Sequence, residues 1–446
     1  MRNKGVFVIS LVLMLGTLFF SPSIPQTAAQ PAQGIDAAKQ LEIIDSVASV
    51  FNRLYVFENV AGEMAAYLHK RYDEGGYADI TSERAFAWAL EQDLRSVSGD
   101  QHIRIRHRPD EYFERVSRAG PSKDEIERRI LRQRQSNFDF QTVESLPGNV
   151  GYVKFNSFSD PKYAAPTAIA GLNFLGNSDA IIIDLRDNGG GSPLMVQFLA
   201  SYFFDEATHI NSLVSRGEGT EQQLWTHSYV PGPRMAGMDI YVLVSYDTFS
   251  AGEALAYHLQ QAGKATIVGD STAGGAHQST YVQIQDLNIE IKVPCMRAVS
   301  AFSKTNWEGV GLQPDIKVPS YEAFDVAYLH AVKRIKEKSD DAEFKARLDW
   351  LLPARESKVK PVFVGEEVLQ SYVGQYGPIK VFYANGSLFF EYENRRQMKM
   401  YPMSEMKFRC GVFDEYQIEF HLDDNGVPCA GTISFEDGTV FKEPKT

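Results

Sequence analysis

The sequence predicts an α/β domain built on a largely parallel sheet, with a helical segment before it and a small all-β domain after it. Three patterns carry this expectation. Apolar runs at 180–186, 239–245 and 265–270 alternate with helix-like stretches, as in a parallel sheet buried on both faces. Upstream, Leu41, Ile44, Val47, Val50 and Phe51 recur at helical spacing. Downstream, strand-like runs are separated by Asn385-Gly386, Asn425-Gly426 and Asp437-Gly438, pairs that favour hairpin turns.

The elements follow in order. Residues 1–29 read as a secretory signal peptide: Arg2 and Lys4 precede an apolar run at 6–20, and Ala28 and Ala29 form a small-residue exit. This predicts an exported protein, periplasmic or extracellular, with no stable membrane insertion once the segment is removed. An uncleaved anchor is the rival. Residues 30–100 form the helical segment, read as a cap or dimer surface. A charged helix is expected at 121–138. The α/β domain spans 101–345, a Pro-containing linker 352–363 and the β domain 364–446.

The chain has 446 residues, 44% of them hydrophobic, which is enough for a sizeable core. Its net charge of −12 argues against nucleic acid or anionic lipid as the main partner. Arg104, Arg106 and Arg108 read as a solvated edge strand. Three cysteines, Cys295, Cys410 and Cys429, make no disulfide framework, although the last two can pair across the β domain. The chain contains no CxxC or HExxH motif, and its histidines lack metal-ligand spacing, so no cofactor or metal is expected.

Two strand–turn–helix units can carry chemistry. The first ends in Asn188-Gly189-Gly190-Gly191, whose uncovered N–H groups suit an anion or an oxyanion. A plain tight turn explains it equally well, and the phosphate-loop spacings are not met. The second ends in Ser250, just before a helix that starts at Ala251. There the hydroxyl can project from the carboxyl edge of the sheet, and the Ala251 N–H can meet an oxyanion. A helix N-cap is the plainer role for such a Ser. A Ser nucleophile needs a base. His102 and His277 both sit in turns, and Glu308 lies in a glycine turn from which it can orient a His.

Five stretches, SGDQHIRI, DLRDNGGG, SYDTFSAGEALAYHL, VGDSTAGGAH and TNWEGVGLQPDIKV, occur here in the order seen in the tail-specific (C-terminal-processing) proteases. Residues 35–335 resemble that family. The likeness is greatest to the branch of the interphotoreceptor retinoid-binding-protein modules and, more distantly, the tricorn core protease. The resemblance implies a ClpP/crotonase-like catalytic domain, with Ser250 as nucleophile and Gly190, Gly191 and Ala251 as the oxyanion hole. Where many members carry a Lys base, this chain reads Gly274-Gly275-Ala276. The tricorn-like branch implies His102 as base and Glu308 as its acid, although Gln101 replaces the hydroxyl residue expected before the His. The 45 or so residues after the His turn leave no room for the family's PDZ domain.

The expected function is therefore an exported serine endopeptidase acting on a peptide or protein substrate. The alternative is a non-catalytic binding protein for an apolar small molecule or peptide on the same fold. The complete set of Ser, His and acid favours the enzyme.

Overall fold

The computed structural model describes residues 35–117, 122–392, 397–410, 416–435 and 437–446. The expected signal peptide lies outside them. The chain begins with three helices, α1 (Ala37–Leu54), α2 (Glu58–Asp73) and α3 (Glu83–Ser98). Asp36 and Ser82 cap α1 and α3 through their side chains, and Gly99 ends α3 in the left-handed region that glycine adopts freely. Strand β1 (Arg104–His107) and helices α4 (Asp110–Ser117) and α5 (Lys123–Gln135) follow. A capping box of Ser122 and Glu125 starts α5, which buries no residue, in keeping with its charge.

The α/β unit comprises β2 (Phe140–Leu146), β3 (Val150–Phe155), α6 (Pro161–Phe174), β4 (Ala180–Asp184), α7 (Pro193–Ala200), β5 (His209–Ser215), β6 (Thr220–Trp225), β7 (Asp239–Val244), α8 (Ala251–Gln261), β8 (Ala265–Gly269), β9 (Gln278–Ile284), β10 (Ile289–Ser300), β11 (Ile316–Lys317), α9 (Ala323–Lys338) and α10 (Ala342–Val359). Its main sheet runs β11-β8-β7-β4-β3-β2, parallel except for the β2–β3 pair. Residues of β4 and β7 are buried almost throughout, because helices cover both faces. A second, antiparallel sheet of β1, β10, β5 and β6, with β9 also on β10, was not read from the sequence. Its β1 is the edge strand expected around Arg104.

The helical segment has its own core. Residues such as Ile44, Phe51, Leu68 and Leu90 pack with Ile103 and Ile105 and against Ile289 and Ile291 of β10. It is thus seated on the second sheet. The expected linker at 352–363 is corrected, since α10 runs through Pro353 to Val359. Leu348, Leu351 and Ala354 are buried there, the two leucines in the core on the face of the sheet that α9 covers. That burial outweighs the roughly 3 kcal/mol that an interior Pro costs a helix.

Helix α11 (Glu366–Ser371) leads into eight antiparallel strands: β12 (Gly374–Tyr376), β13 (Ile379–Ala384), β14 (Ser387–Tyr392), β15 (Gln397–Pro402), β16 (Lys407–Cys410), β17 (Tyr416–Leu422), β18 (Pro428–Phe435) and β19 (Val440–Pro444). Each pairs with the next, around a separate core. Cys410 is buried and Cys429 exposed, and both are free thiols, so the pairing left open above does not form. No helix among the described residues is long and apolar enough to cross a membrane.

Candidate active site

Ser250 is the first residue after the β7 turn and the N-cap of α8. Its φ of 55° and ψ of −116° lie where non-glycine residues are strained. The backbone is held from below by Glu253, which is fully buried. One carboxylate oxygen accepts from the N–H groups of Ser250 (2.8 Å) and Gly275 (2.8 Å), the other from Gly274 (2.7 Å) and the Thr272 hydroxyl. Burial pushes the Glu253 carboxyl up, and these bonds oppose the shift. The Thr272 hydroxyl itself accepts from the Leu312 N–H, which leaves its proton for Glu253. All four groups facing the carboxylate therefore donate, an arrangement that suits its ionised form.

His102 arrives from the other core. The turn after α3 is closed by Asp100, whose Oδ1 accepts from the His102 N–H at 2.9 Å. His102 Nε2 lies 3.1 Å from Ser250 Oγ, and its ring meets Phe249 in a tilted contact with centroids 4.6 Å apart. Its Nδ1 faces Asp100 Oδ1 at 3.7 Å, an ion-pair distance rather than a hydrogen bond. Burial lowers the His102 pKa, and the neighbouring Asp100 charge acts the other way.

His277 does not meet Ser250 in these contacts. Its Nδ1 bonds Asp100 Oδ2 at 2.8 Å and lies 3.5 Å from Glu308 Oε2. Glu308 therefore stands beside His277, not beside His102, where the resemblance had put it. It also accepts from the N–H groups of Ala276 (2.6 Å) and His277 (3.1 Å). Burial and the Asp100 charge push the Glu308 carboxyl up to about 7. Burial disfavours the Asp100 charge too, but the two imidazoles outweigh it and hold that carboxyl well below its usual range. The Tyr55 hydroxyl, at the end of α1, adds a contact to Asp100 at 3.4 Å.

The expected oxyanion donors divide. The Gly190 N–H is spent on Asn188 Oδ1 at 2.9 Å. No turn, loop or cap bond engages the N–H of Gly191 or Ala251 among the described residues. Both residues, with Ser250, line a cavity of about 80 Å³ walled by Val196, Ile210, Leu213, Leu224, Ala298 and Trp307. Gly190 serves contact instead: a Cβ there would come 2.8 Å from Ser250 Cβ.

Sequence reasoning missed Asp100 and Glu253, although both stand in stretches singled out above. Asp100, His277 and Glu308 also place their ligand atoms within 4.8 Å of one another, as a metal site would. Asp100 and His277 already satisfy each other directly, which favours a hydrogen-bonded relay over a metal site.

Residues 149–318 match a family described as Peptidase family S41. Residues 32–141 match the N-terminal domain of Peptidase_S41 in eukaryotic IRBP. A carboxyl-terminal-processing protease of Synechocystis sp. is 33% identical over 156 residues, 34% of this chain and 35% of that protein. The chloroplastic carboxyl-terminal-processing peptidase 2 of Arabidopsis thaliana is 27% identical over 215 residues, 45% of this chain and 39% of that one. The chain thus spans between a third and two fifths of the length of these two relatives. Among solved structures, the photosystem II D1 C-terminal processing protease aligns with a TM-score of 0.42 and 16% identity, covering 64% of this chain and 94% of that one.

Proposed function

This chain belongs to peptidase family S41, with an N-terminal domain of the IRBP type, and from that premise we propose that it is an exported serine endopeptidase. The observation that carries the reading is the 3.1 Å approach of His102 Nε2 to Ser250 Oγ, beside a cavity lined by two uncommitted N–H groups. Ser250 Oγ attacks the peptide carbonyl while His102 takes its proton. The N–H groups of Gly191 and Ala251 receive the oxyanion. His102 then protonates the leaving amine, and water enters to release the acyl group by the same path.

The imidazolium that forms at each step lies beside the Asp100 carboxylate, and a small ring rotation closes the 3.7 Å gap to a hydrogen bond. Asp100 is thus the acid that supports the base. Glu308 acts one place further out, through His277. The apolar walls of the cavity suit an apolar side chain on the acyl side of the cut bond. Support for export is the charge and hydropathy pattern of residues 1–29.

Alkyl fluorophosphonate labelling, read by peptide mapping, tests the nucleophile, and turnover of a peptide library tests the rest. Ser250→Ala should abolish both. His102→Ala and Asp100→Asn should each lower kcat by about 10²- to 10⁴-fold, and His277→Ala by less. Folded protein that neither labels at Ser250 nor loses turnover in His102→Ala would leave the apolar-ligand carrier as the surviving account.

A further inference from the structure

The C-terminal strands close on themselves. Tyr376 bridges to Lys445, and Gln375 and Thr446 exchange backbone hydrogen bonds of 3.2 and 2.9 Å, so β12 meets the chain's last residues and the eight strands form a barrel. In a barrel, side chains alternate between inside and outside. One end is filled by the protein itself. Leu369 of α11 enters the core, and Tyr372, just after that helix, stacks on Phe420 with ring centroids 4.2 Å apart.

Among the described residues, nothing fills the opposite end. The inward rows continue past the packed core, from Phe390 to Tyr392 on β14 and from Ile433 to Phe435 on β18. They do the same from Ile418 to Tyr416 on β17 and from Met400 to Met398 on β15. With Phe441 of β19 these residues line a cavity of about 590 Å³, floored by Ile379, Phe390 and Ile433. A mouth that met only water would carry polar residues at its inward positions. Here Tyr392 remains 38% and Phe441 51% exposed. Glu443 follows Phe441 by two residues on the same inward row and is the one charged side chain among the described residues of the lining. It forms no salt bridge among the described residues.

We propose that this barrel mouth binds a small amphiphile, with its ring or alkyl body among the aromatic side chains and an amine head on Glu443. The volume falls in the range of pockets that enclose small organic ligands, roughly 300–1,000 Å³. Eight strands give a barrel just wide enough for one such molecule. The cavity belongs to the barrel alone, so the inference stands or falls apart from the peptidase reading.

The experiment is titration of the full chain with Nile red, followed by displacement with dodecylamine or dodecanoate. Saturable one-site binding is expected, with dodecylamine displacing the dye about tenfold better than dodecanoate. Glu443→Gln should erase that preference and leave dye binding in place. Met398→Trp should fill the mouth and abolish the dye signal. Phe441→Asp, at an exposed position, should weaken it without disturbing the core. Circular dichroism identifies which variants fold. A linear, non-saturating signal overturns the proposal. So does saturable binding kept in whichever of Met398→Trp and Phe441→Asp folds, because the dye would then sit elsewhere, such as beside Ser250. Equal displacement by amine and carboxylate overturns the role of Glu443.

Discussion

The turn that follows β4 dispenses with side chains, whereas the turn that follows β7 holds one in a strained conformation. Both stand at the same edge of the main sheet and touch. Gly190 and Gly191 have φ of 103° and 143°, and a Cβ on Gly191 would lie 2.3 Å from the Phe158 carbonyl oxygen. There, close approach is solved by removing atoms. At Ser250 the side chain is the point, so the strain of about 1–3 kcal/mol has to be held by something else. Glu253 is that something, and it fixes the neighbouring 274–275 turn with the same two oxygens. One turn is stable through its own residues, the other through a partner three positions away.

The contrast can be broken from either side. Gly191→Ala adds both a forbidden φ and a backbone clash. It should cost about 3–5 kcal/mol in denaturant unfolding, or prevent folding. An unchanged midpoint would mean that the glycine turn is not tight. Glu253→Gln keeps the shape but replaces an acceptor oxygen by an NH2 group that faces donors. A loss of about 1–3 kcal/mol is expected, with a proportionally larger fall in kcat as Ser250 relaxes from its strained backbone. If kcat and stability fall in step, Glu253 supports the fold alone.

The mildest effect is on pH. The proposed base must be neutral to act, and burial sets the His102 pKa below its ordinary value of 6.5. Activity should therefore persist through pH 6.5 and fall only on further acidification. Glu308 moves the opposite way. Its folded-state carboxyl, raised to about 7, holds a proton that the unfolded chain has released above about 4.5. Its contribution to stability is thus fully present at low pH and lost as pH rises through 7. Glu308→Gln should flatten the decline in unfolding midpoint between pH 5 and 8, and an unaltered slope would show that Glu308 does not titrate there.

The same contrast explains what could be read from the sequence. The two turns were legible because an apolar strand, a break and a helix start leave a linear signature, and a triple glycine is conspicuous. Which glycine keeps an uncommitted N–H was not legible, since it depends on Asn188 folding back onto the Gly190 N–H. Asp100 stood in plain view beside His102, but its weight comes from His277, 177 residues away in the chain. The antiparallel sheet escaped notice because β6 reads as polar, with only Leu224 buried, and β9 is similarly exposed. Alternation is weak in strands with little burial. Pro353 misled for the reverse reason: local propensity lost to the packing of Leu348 and Leu351. In the barrel the hairpin pairs were readable, whereas the bridge from Tyr376 to Lys445 joins the two ends of the module and leaves no local trace.

His102 and Asp100 come from the turn that ends the helical segment, while Ser250, the cavity and the uncommitted N–H groups belong to the sheet. The helices share their hydrophobic core with β1, β9 and β10, and the proposed nucleophile stands beside another core. On the proposed mechanism, hydrolysis is then licensed by docking. A chain whose sheet has formed but whose helices are not yet seated would hold a substrate without cutting it. On that reading a half-assembled molecule would be harmless to its neighbours during biogenesis, and the seam between the helices and β10 is where a bound partner would silence the proposed activity without entering the cleft.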